Sequence, residues 1–151
     1  MPAVTVSDAS CLILFHKIGD LDLLKKVFGE IQITETVSKE YGRQIPPWIK
    51  VTTPSSKLDK GLSSVLDPGE ATSIALASEI DNALLIIDEM KGRKVANQLG
   101  LQITGSLGVL VVAKENGHID RVKPILEKLE RTNFRISQRL ISKVLEWSNE
   151  S

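Results

Sequence analysis

Two aspartates, Asp8 and Asp88, each follow an apolar run of the type that forms a buried β-strand. A helical pattern begins directly after each of them. In a parallel α/β sheet the carboxyl ends of all strands lie along one edge, and ligands bind in the crevice outside that edge. Carboxylates that converge there repel one another unless a proton or a cation joins them. The spacing therefore predicts a site for a hard divalent metal ion at one edge of a sheet.

Each candidate acid also has an ordinary structural explanation. Asp is a good N-cap, so Asp8 and Asp88 could each simply cap the helix that follows. Glu40 lies within a helical pattern, where a solvated position accounts for it. Glu70 stands three residues after Asp67 in a strong helix start, so these two residues fit a capping box. Position alone leaves metal binding and helix capping both open for these acids.

The rest of the chain alternates strand patterns with helical patterns. Strands are predicted over residues 3–7, 31–34, 48–51, 84–87 and 101–104. Helical patterns fall between them, and two further helices are predicted over 120–130 and 136–147. This order predicts a three-layer α/β/α, doubly wound parallel sheet of four to five strands, with two extra C-terminal helices.

The length of 151 residues is that of one domain with a full hydrophobic core. We expect a single domain over 1–151, made of a core over 1–117 and a helical extension over 118–151. Residues 54–67 are rich in Ser, Lys and Asp and have little apolar pattern. We therefore expect that segment to be mobile or to face a partner.

Composition excludes several classes of protein. Lys+Arg and Asp+Glu both number 19, so the net charge is zero. This argues against nucleic-acid binding through the overall charge of the protein, but it leaves open a local basic patch. The single cysteine, Cys11, excludes an intrachain disulfide and a cysteine-based zinc cluster. The chain shows no signal-peptide pattern, and its apolar runs are too short to span a bilayer. We expect a cytoplasmic protein that does not contact a membrane.

Several segments, in their order and spacing, resemble the PIN-domain ribonucleases, and in particular a branch related to VapC-type toxins. The resemblance covers nearly the whole chain. Its segments are residues 6–10, 34–37 with Glu40, 66–71, 74–77, 85–89 with 92–93, 100–101, 104–110, 113–117 and 134–137. The resemblance implies the same PIN-like fold that the alternating pattern predicts.

The resemblance also implies a catalytic site. Members of this family use three or four acids to bind Mg²⁺ or Mn²⁺ and to cut single-stranded RNA. By matching position, Asp8 is the first acid, Glu40 the second, Glu70 the third and Asp88 the fourth. At the third position the commoner toxin pattern has an Asp within the following helix, so Glu70 departs from that pattern. One or two bound metal ions are both compatible with this set.

Other residues receive supporting roles. By the same resemblance, Ser10 and Thr104 match hydroxyl positions near the acids, although either could equally be a helix cap. Glu89, next to the fourth acid, is a further supporting candidate, and a first-turn acid that favours the helix dipole accounts for it equally well. Lys91 and Arg93, with Lys94 beside them, could contact RNA phosphates, and a solvated basic helix face is the alternative.

The leading functional hypothesis is a metal-dependent endoribonuclease acting on single-stranded RNA, as the toxin of a toxin–antitoxin pair. By resemblance, its partners would be RNA, a small antitoxin protein and a second copy of the chain. The alternative is a non-catalytic PIN-like module that binds RNA or protein. A phosphoacceptor receiver ranks below both, because Asp8 is followed by Ala9 and Ser10 rather than by another acid.

Overall fold

Five parallel strands form one sheet in the computed structural model of the protein, which describes residues 4–134 and 136–150. The strands are β1 (Val4–Ser7), β2 (Ile31–Ile33), β3 (Ile49–Val51), β4 (Ala83–Ile86) and β5 (Gln102–Thr104). Their order across the sheet is β3-β2-β1-β4-β5, and all neighbours are parallel. The predicted doubly wound parallel sheet is therefore confirmed. Residue 3 of the predicted first strand lies outside the described residues.

Nine helices accompany the strands within the described ranges. They are α1 (Ala9–Lys17), α2 (Asp22–Phe28), α3 (Glu35–Tyr41), α4 (Leu58–Leu62), α5 (Pro68–Ser78), α6 (Met90–Gln98), α7 (Ser106–Glu115), α8 (Lys123–Glu130) and α9 (Gln138–Trp147). No helix of this described part is long and apolar enough to cross a membrane. The short helix α4 lies within 54–67, where no helix is predicted, and it packs against α5.

The sheet is covered on both faces, which gives the predicted three layers. Successive side chains of a strand point to opposite faces of its sheet. Leu85 and Ile87 accordingly pack in one core with Ile74 of α5. Ile86, between them, packs in a second core with Leu110 of α7. The wholly apolar run in this part of the sequence follows from burial on both faces.

The two C-terminal helices are present but begin later than the sequence pattern predicts. The pattern predicts 120–130 and 136–147, whereas α8 begins at Lys123 and α9 at Gln138. Pro124 occupies the first turn of α8, the part of a helix that tolerates proline. The Leu140 N–H donates to the hydroxyl oxygen of Ser137 at 3.1 Å, which makes Ser137 the N-cap of α9.

The chain order reverses between β1 and β4, at the centre of the sheet. After β1 the chain builds β2 and β3 on one side and then returns to build β4 and β5 on the other. Ser7 of β1 is in register with Ile86 of β4, so the residues that follow these strands lie close together. In open α/β sheets such a reversal leaves a crevice at the carboxyl edge, which is where ligands bind.

Candidate functional site

Asp8 and Asp88 meet at this reversal point. Asp8 directly follows β1, and its N–H donates to the carbonyl oxygen of Ile86 at 3.0 Å, which extends the pairing with β4. The Asp88 N–H in turn donates to Asp8 Oδ2, with an N···O distance of 3.3 Å. The structure thus brings together the two aspartates that the sequence places at one sheet edge.

Asp8 is only 3% exposed, and its carboxylate holds two backbone groups. Besides the contact from Asp88, its Oδ1 accepts from the Cys11 N–H at 3.2 Å, which makes Asp8 the N-cap of α1. Burial and then the charge of Asp88 raise the pKa of Asp8 from 3.8 to about 7, against the opposite effect of the two backbone hydrogen bonds. Since each carboxylate oxygen has two lone pairs, capping and cation binding are compatible at this residue.

Asp88 is held by the first residue of α7. The Ser106 N–H donates to Asp88 Oδ1 at 2.7 Å, and the Ser106 hydroxyl donates to Asp88 Oδ2 at 2.6 Å. Ser106 is fully buried, so this paired contact fixes the carboxylate of Asp88 against the start of a helix. The sequence interpretation assigns no role to Ser106. Its position two residues after Thr104, at a predicted helix start, was the available signal.

Glu70 lies at the start of α5 and is 7% exposed. Its backbone N–H donates to Asp67 Oδ1 at 2.9 Å, as the predicted helix start requires. Its Oε2, however, is buried with no hydrogen-bond partner in the described structure, so this oxygen does not complete a capping box. Burial, followed by contact with the Asp67 carboxyl group and the charge of that group, raises the pKa of Glu70 from 4.5 to about 7. A buried carboxylate oxygen without a hydrogen-bond partner is costly, which favours a proton or a cation at Glu70 Oε2.

Two glycines make room for the glutamates. A Cβ on Gly92 of α6 would lie 2.9 Å from Glu70 Oε2, and a Cβ on Gly69 would collide with the Glu40 carboxylate. Glu40 therefore reaches from α3 to the start of α5. Burial and then the charge of Asp67 raise the pKa of Glu40, while a backbone hydrogen bond from Gly69 opposes them. The structure thus places the Glu40 carboxylate at the start of α5, within electrostatic reach of Asp67.

Asp67 is an acid that the sequence interpretation treats only as a helix cap. Burial is the main cause of the raised pKa values of Asp8, Glu40 and Glu70. The charge of Asp67 contributes further to each of these three values. It therefore lies within electrostatic reach of all three. The sequence signal for this role is the place of Asp67 three residues before Glu70. An N-cap residue lies next to any ligand or side chain that the N-terminus of its helix faces.

The donor atoms of this edge suit a divalent metal ion, but the acids are not gathered into a finished metal centre. Asp8 and Asp88 form one pair, and Glu40, Asp67 and Glu70 form a second group. All five offer oxygen, the ligand that Mg²⁺ and Mn²⁺ prefer. Among the described residues, no group of three or more His, Cys, Asp or Glu side chains is placed to hold a metal ion. The acids therefore fit a cation by donor type and by the unpaired Glu70 oxygen, and side-chain rotation would have to complete the coordination.

Within the described ranges the three supporting candidates make no hydrogen bond to the acid carboxylates, although, after burial as the main cause, the charge of Glu89 contributes to the raised pKa of Glu70. Ser10 is exposed, and no hydrogen bond within the described ranges joins it to one of the acids. Thr104 Oγ1 lies 3.5 Å from the backbone carbonyl oxygen of the next residue. Glu89 is exposed at the N-cap position of α6 and makes no side-chain capping bond. The hydroxyl group that reaches Asp88 is that of Ser106.

The two basic candidates differ in how the fold holds them. Arg93 is half-buried, and its Nη1 donates to the carbonyl oxygen of Ile87 at 2.9 Å. Arg93 Nη1 and Asp88 Oδ1 both lie 2.9 Å from the point that a Cβ on Gly105 would occupy. The guanidinium group of Arg93 is therefore a neighbour of the Asp88 carboxylate. Lys91 is exposed on α6.

The fold and the acids place the protein in a general class, that of α/β domains with an open parallel sheet and carboxylates where the strand order reverses. The model of one family, DUF3368, a PIN domain, matches residues 4–150. Because this match spans nearly the whole sequence, the chain belongs to the PIN-domain family, and the resemblance inferred from the sequence is confirmed. No curated protein and no solved structure matches the chain significantly.

Proposed function

We propose that this protein is an endoribonuclease that hydrolyses phosphodiester bonds of single-stranded RNA with the help of a divalent metal ion. PIN domains are in general nucleases, which supports hydrolase activity. The observation that carries the proposal is the buried, unpaired Oε2 of Glu70 at the same edge as the buried Asp8. These carboxylates need a proton or a cation, and their oxygens are the donors that Mg²⁺ prefers.

The residues that would hold Mg²⁺, or alternatively Mn²⁺, are Asp8 and Asp88, with Glu40 and Glu70 completing the set. When bound, such an ion lowers the pKa of a coordinated water and neutralises charge on the scissile phosphate. One ion or two are both compatible with four carboxylates. Asp67, within electrostatic reach of Asp8, Glu40 and Glu70, adds negative charge that strengthens attraction for a cation.

The side chains of the protein contribute binding and orientation, and one of them can hold a proton. Ser106 orients the Asp88 carboxylate through its two hydrogen bonds. Arg93, a neighbour of Asp88, is placed to attract a phosphate to the acidic edge. In the metal-free protein, Glu70 can hold a proton near neutral pH, because burial and the Asp67 carboxyl group raise its pKa to about 7.

Cleavage of a fluorescent single-stranded RNA by the purified chain tests this proposal. We expect cleavage with Mg²⁺ or Mn²⁺ and none in EDTA. Asp8→Asn should lower the rate by about 100-fold or more, because Asn keeps the capping oxygen but not the charge. The matched control is Asp22→Asn, an exposed acid in the first turn of α2. Full activity in EDTA, or in Asp8→Asn, would overturn the proposal.

The biological setting that we propose is that of a toxin paired with a small antitoxin, acting in the cytoplasm as a homodimer. The support is the resemblance of sequence segments of the chain to those of VapC-type toxins, within a family match to the PIN domain. Induced expression should arrest growth, and Asp8→Asn should abolish the arrest. A short reading frame directly upstream that relieves the arrest when co-expressed would supply the antitoxin. Unimpaired growth at high expression would contradict the toxin role without touching the nuclease proposal.

A second candidate function is a non-catalytic PIN-like module that binds RNA or protein. The observation that favours it is that, among the described residues, no three acids are placed to hold a metal ion. Titration calorimetry separates the two candidates. Absence of Mg²⁺ and Mn²⁺ binding, with RNA or a co-purifying protein still bound, would favour the module.

A further inference from the structure

A cavity lies along the outer face of α6, immediately after the acidic edge. Its volume is about 580 Å³, and it is open to solvent along the exposed side of the helix. The residues that line it are Met90, Lys91, Arg93, Lys94, Asn97 and Gln98. They occupy successive turns of one helix, so the cavity runs along α6 rather than into the core.

The charge of this cavity is positive, and its two lysines have no carboxylate partner among the described residues. Lys91 and Lys94 are both exposed, and Arg93 lies between them in the sequence. Within the described ranges, the ion pairs of the protein involve other residues, and no carboxylate is paired with any of these three. The two exposed lysines, Lys91 and Lys94, therefore attract an anionic ligand, while Arg93 turns towards Asp88.

Arg93 connects the cavity to the acidic edge. Its side chain lines the cavity, while its Nη1 donates to the carbonyl oxygen of Ile87 and lies beside Asp88. A ligand with one phosphate at the acidic edge would therefore pass Arg93 and continue along α6 towards Asn97. Between Met90 and Asn97 the helix rises about 10 Å, which leaves room for more than a single phosphate group.

The other groups in the cavity match the bases of a nucleic acid. Met90 is 74% exposed, although it is a large apolar side chain at the entrance nearest the acids. A flexible thioether makes favourable contacts with aromatic rings, and the nucleobases present such rings. Asn97 and Gln98 offer amide groups that both donate and accept hydrogen bonds. A run of Asp and Glu residues would use the lysines but would give Met90 no aromatic ring to contact.

We propose that the α6 cavity is the site that binds the single-stranded RNA next to the scissile phosphate, with Lys91 and Lys94 on its phosphates and Met90 against a base. This inference rests on the proposed nuclease function and names where its substrate lies. It adds Met90 to the candidates derived from the sequence.

Binding of a short fluorescent single-stranded RNA to the full chain in EDTA tests the site without cleavage. We expect the double variant Lys91→Gln/Lys94→Gln to bind at least fivefold more weakly. The slope of log affinity against log salt concentration should become less negative by about 1.4. This is about 0.7 for each of the two phosphates that a lysine no longer neutralises. The matched control is Lys25→Gln/Lys26→Gln, two exposed lysines of α2 at the end of the molecule where β2 begins.

Two further measurements decide whether the ligand of the α6 cavity is RNA or an acidic protein segment. Met90→Gln should weaken RNA binding but leave the binding of polyglutamate unchanged. Polyglutamate that displaces RNA at equal charge concentration, or a Met90→Gln variant that binds RNA normally, would overturn the choice of RNA. Unchanged RNA affinity and salt slope in the double lysine variant would overturn the site itself.

Failure of this inference is distinguishable from failure of the nuclease proposal. RNA that is bound through Lys91 and Lys94 but never cut in Mg²⁺ or Mn²⁺ would contradict the nuclease and leave the α6 site standing. RNA that is cut and bound by the lysine variant as well as by the wild type would contradict the α6 site alone.

Discussion

The Asp88 N–H donates to Asp8 Oδ2 across 3.3 Å, which joins two residues that are 80 positions apart in the sequence. The contact places the negative charge of Asp88 beside a carboxylate that is almost fully buried. Burial and that charge together raise the pKa of Asp8 to about 7. The two aspartates therefore form one electrostatic unit, whose energy depends on pH and on any cation nearby.

The metal-free protein should lose stability as the pH rises from about 4 to about 7. The folded pKa of Asp8 lies above its unfolded value of 3.8, so its contribution is fully present below that value and is lost as the pH rises through the folded pKa. The loss at Asp8 has an upper limit of about 4 kcal/mol. Urea denaturation in EDTA at pH 5 and pH 8 should therefore show Asp8→Asn gaining stability relative to wild type at the higher pH. An equal difference at both pH values would contradict a raised pKa.

Divalent metal should reverse this loss in the wild type. At pH 8, saturating Mg²⁺ or Mn²⁺ should raise the melting temperature, because a ligand that binds only the folded state stabilises it. Asp8→Asn should show little of that increase, whereas Asp22→Asn should keep it. Equal increases in Asp8→Asn and wild type would mean that the ion binds elsewhere.

Ser106→Ala should lower activity by roughly 10- to 100-fold, because a residue that orients a metal ligand typically has an effect of this size. The variant keeps the backbone N–H bond to Asp88 Oδ1 and removes only the hydroxyl bond to Oδ2. The concentration of Mg²⁺ for half-maximal activity should rise in parallel. Ser78→Ala, which removes a hydroxyl bond to the backbone of α5, is the control and should cleave RNA normally.

Gly92→Ala should displace the Glu70 carboxylate, because the new Cβ would lie 2.9 Å from Oε2 and 2.5 Å from Ile87 Cδ1. We expect cleavage to fall at least tenfold while the fold persists, since the alanine also improves helix propensity by about 1 kcal/mol. Gly61→Ala is a matched control, because a Cβ there has open space within a helix. Wild-type cleavage by Gly92→Ala would show that the position of Glu70 is unimportant.

Glu150→Gln should destabilise the C-terminal helices by about 1–3 kcal/mol, the cost of disturbing a buried acceptor. The Glu150 side chain is 5% exposed and accepts from the N–H groups of Val122 and Lys123, as well as from Lys114 Nζ at 3.0 Å. Burial alone would raise the pKa of Glu150, but these bonds outweigh it and lower the pKa below 4.5.

The lowered pKa gives this contact a pH dependence opposite to that of Asp8. The contribution of Glu150 is present above its unfolded pKa and is lost as the pH falls through the lower folded value. Denaturation of wild type and Glu150→Gln should therefore converge at low pH. Glu146→Gln, an exposed position on α9, should match wild type throughout.

Most of the fold could be predicted because its signals are local. The apolar run ending at Ile87 and the start of α5 at Asp67 each depend on a few adjacent residues. Helix α4 could not be predicted, because its five residues are too few to show a helical period, and contact with α5 supports it. Pro124 and Ser137 mark the late starts of α8 and α9. Both are local signals, but the helical pattern of apolar residues continues before them and so predicts earlier starts.

The candidate site was predictable only in part. The edge that carries Asp8 and Asp88 follows from strand direction alone. For Ser106 and Asp67 the sequence signal is only a place at a predicted helix start, because their roles depend on how α7 and α5 dock beside β4 and β1. The inward hydrogen bond of Arg93 likewise depends on the crossing of α6 over the sheet edge, for which sequence spacing carries no signal.

The most direct test of the central claim is the initial rate of cleavage of a fluorescent single-stranded RNA while Mg²⁺ is raised from zero. Wild type and Asp88→Asn should be measured side by side. The proposed site predicts no cleavage in EDTA, a saturable rise with Mg²⁺ in the wild type, and a rate that is lower by about 100-fold or more in Asp88→Asn. Cleavage that persists in EDTA, or that rises equally with Mg²⁺ in both proteins, would contradict it.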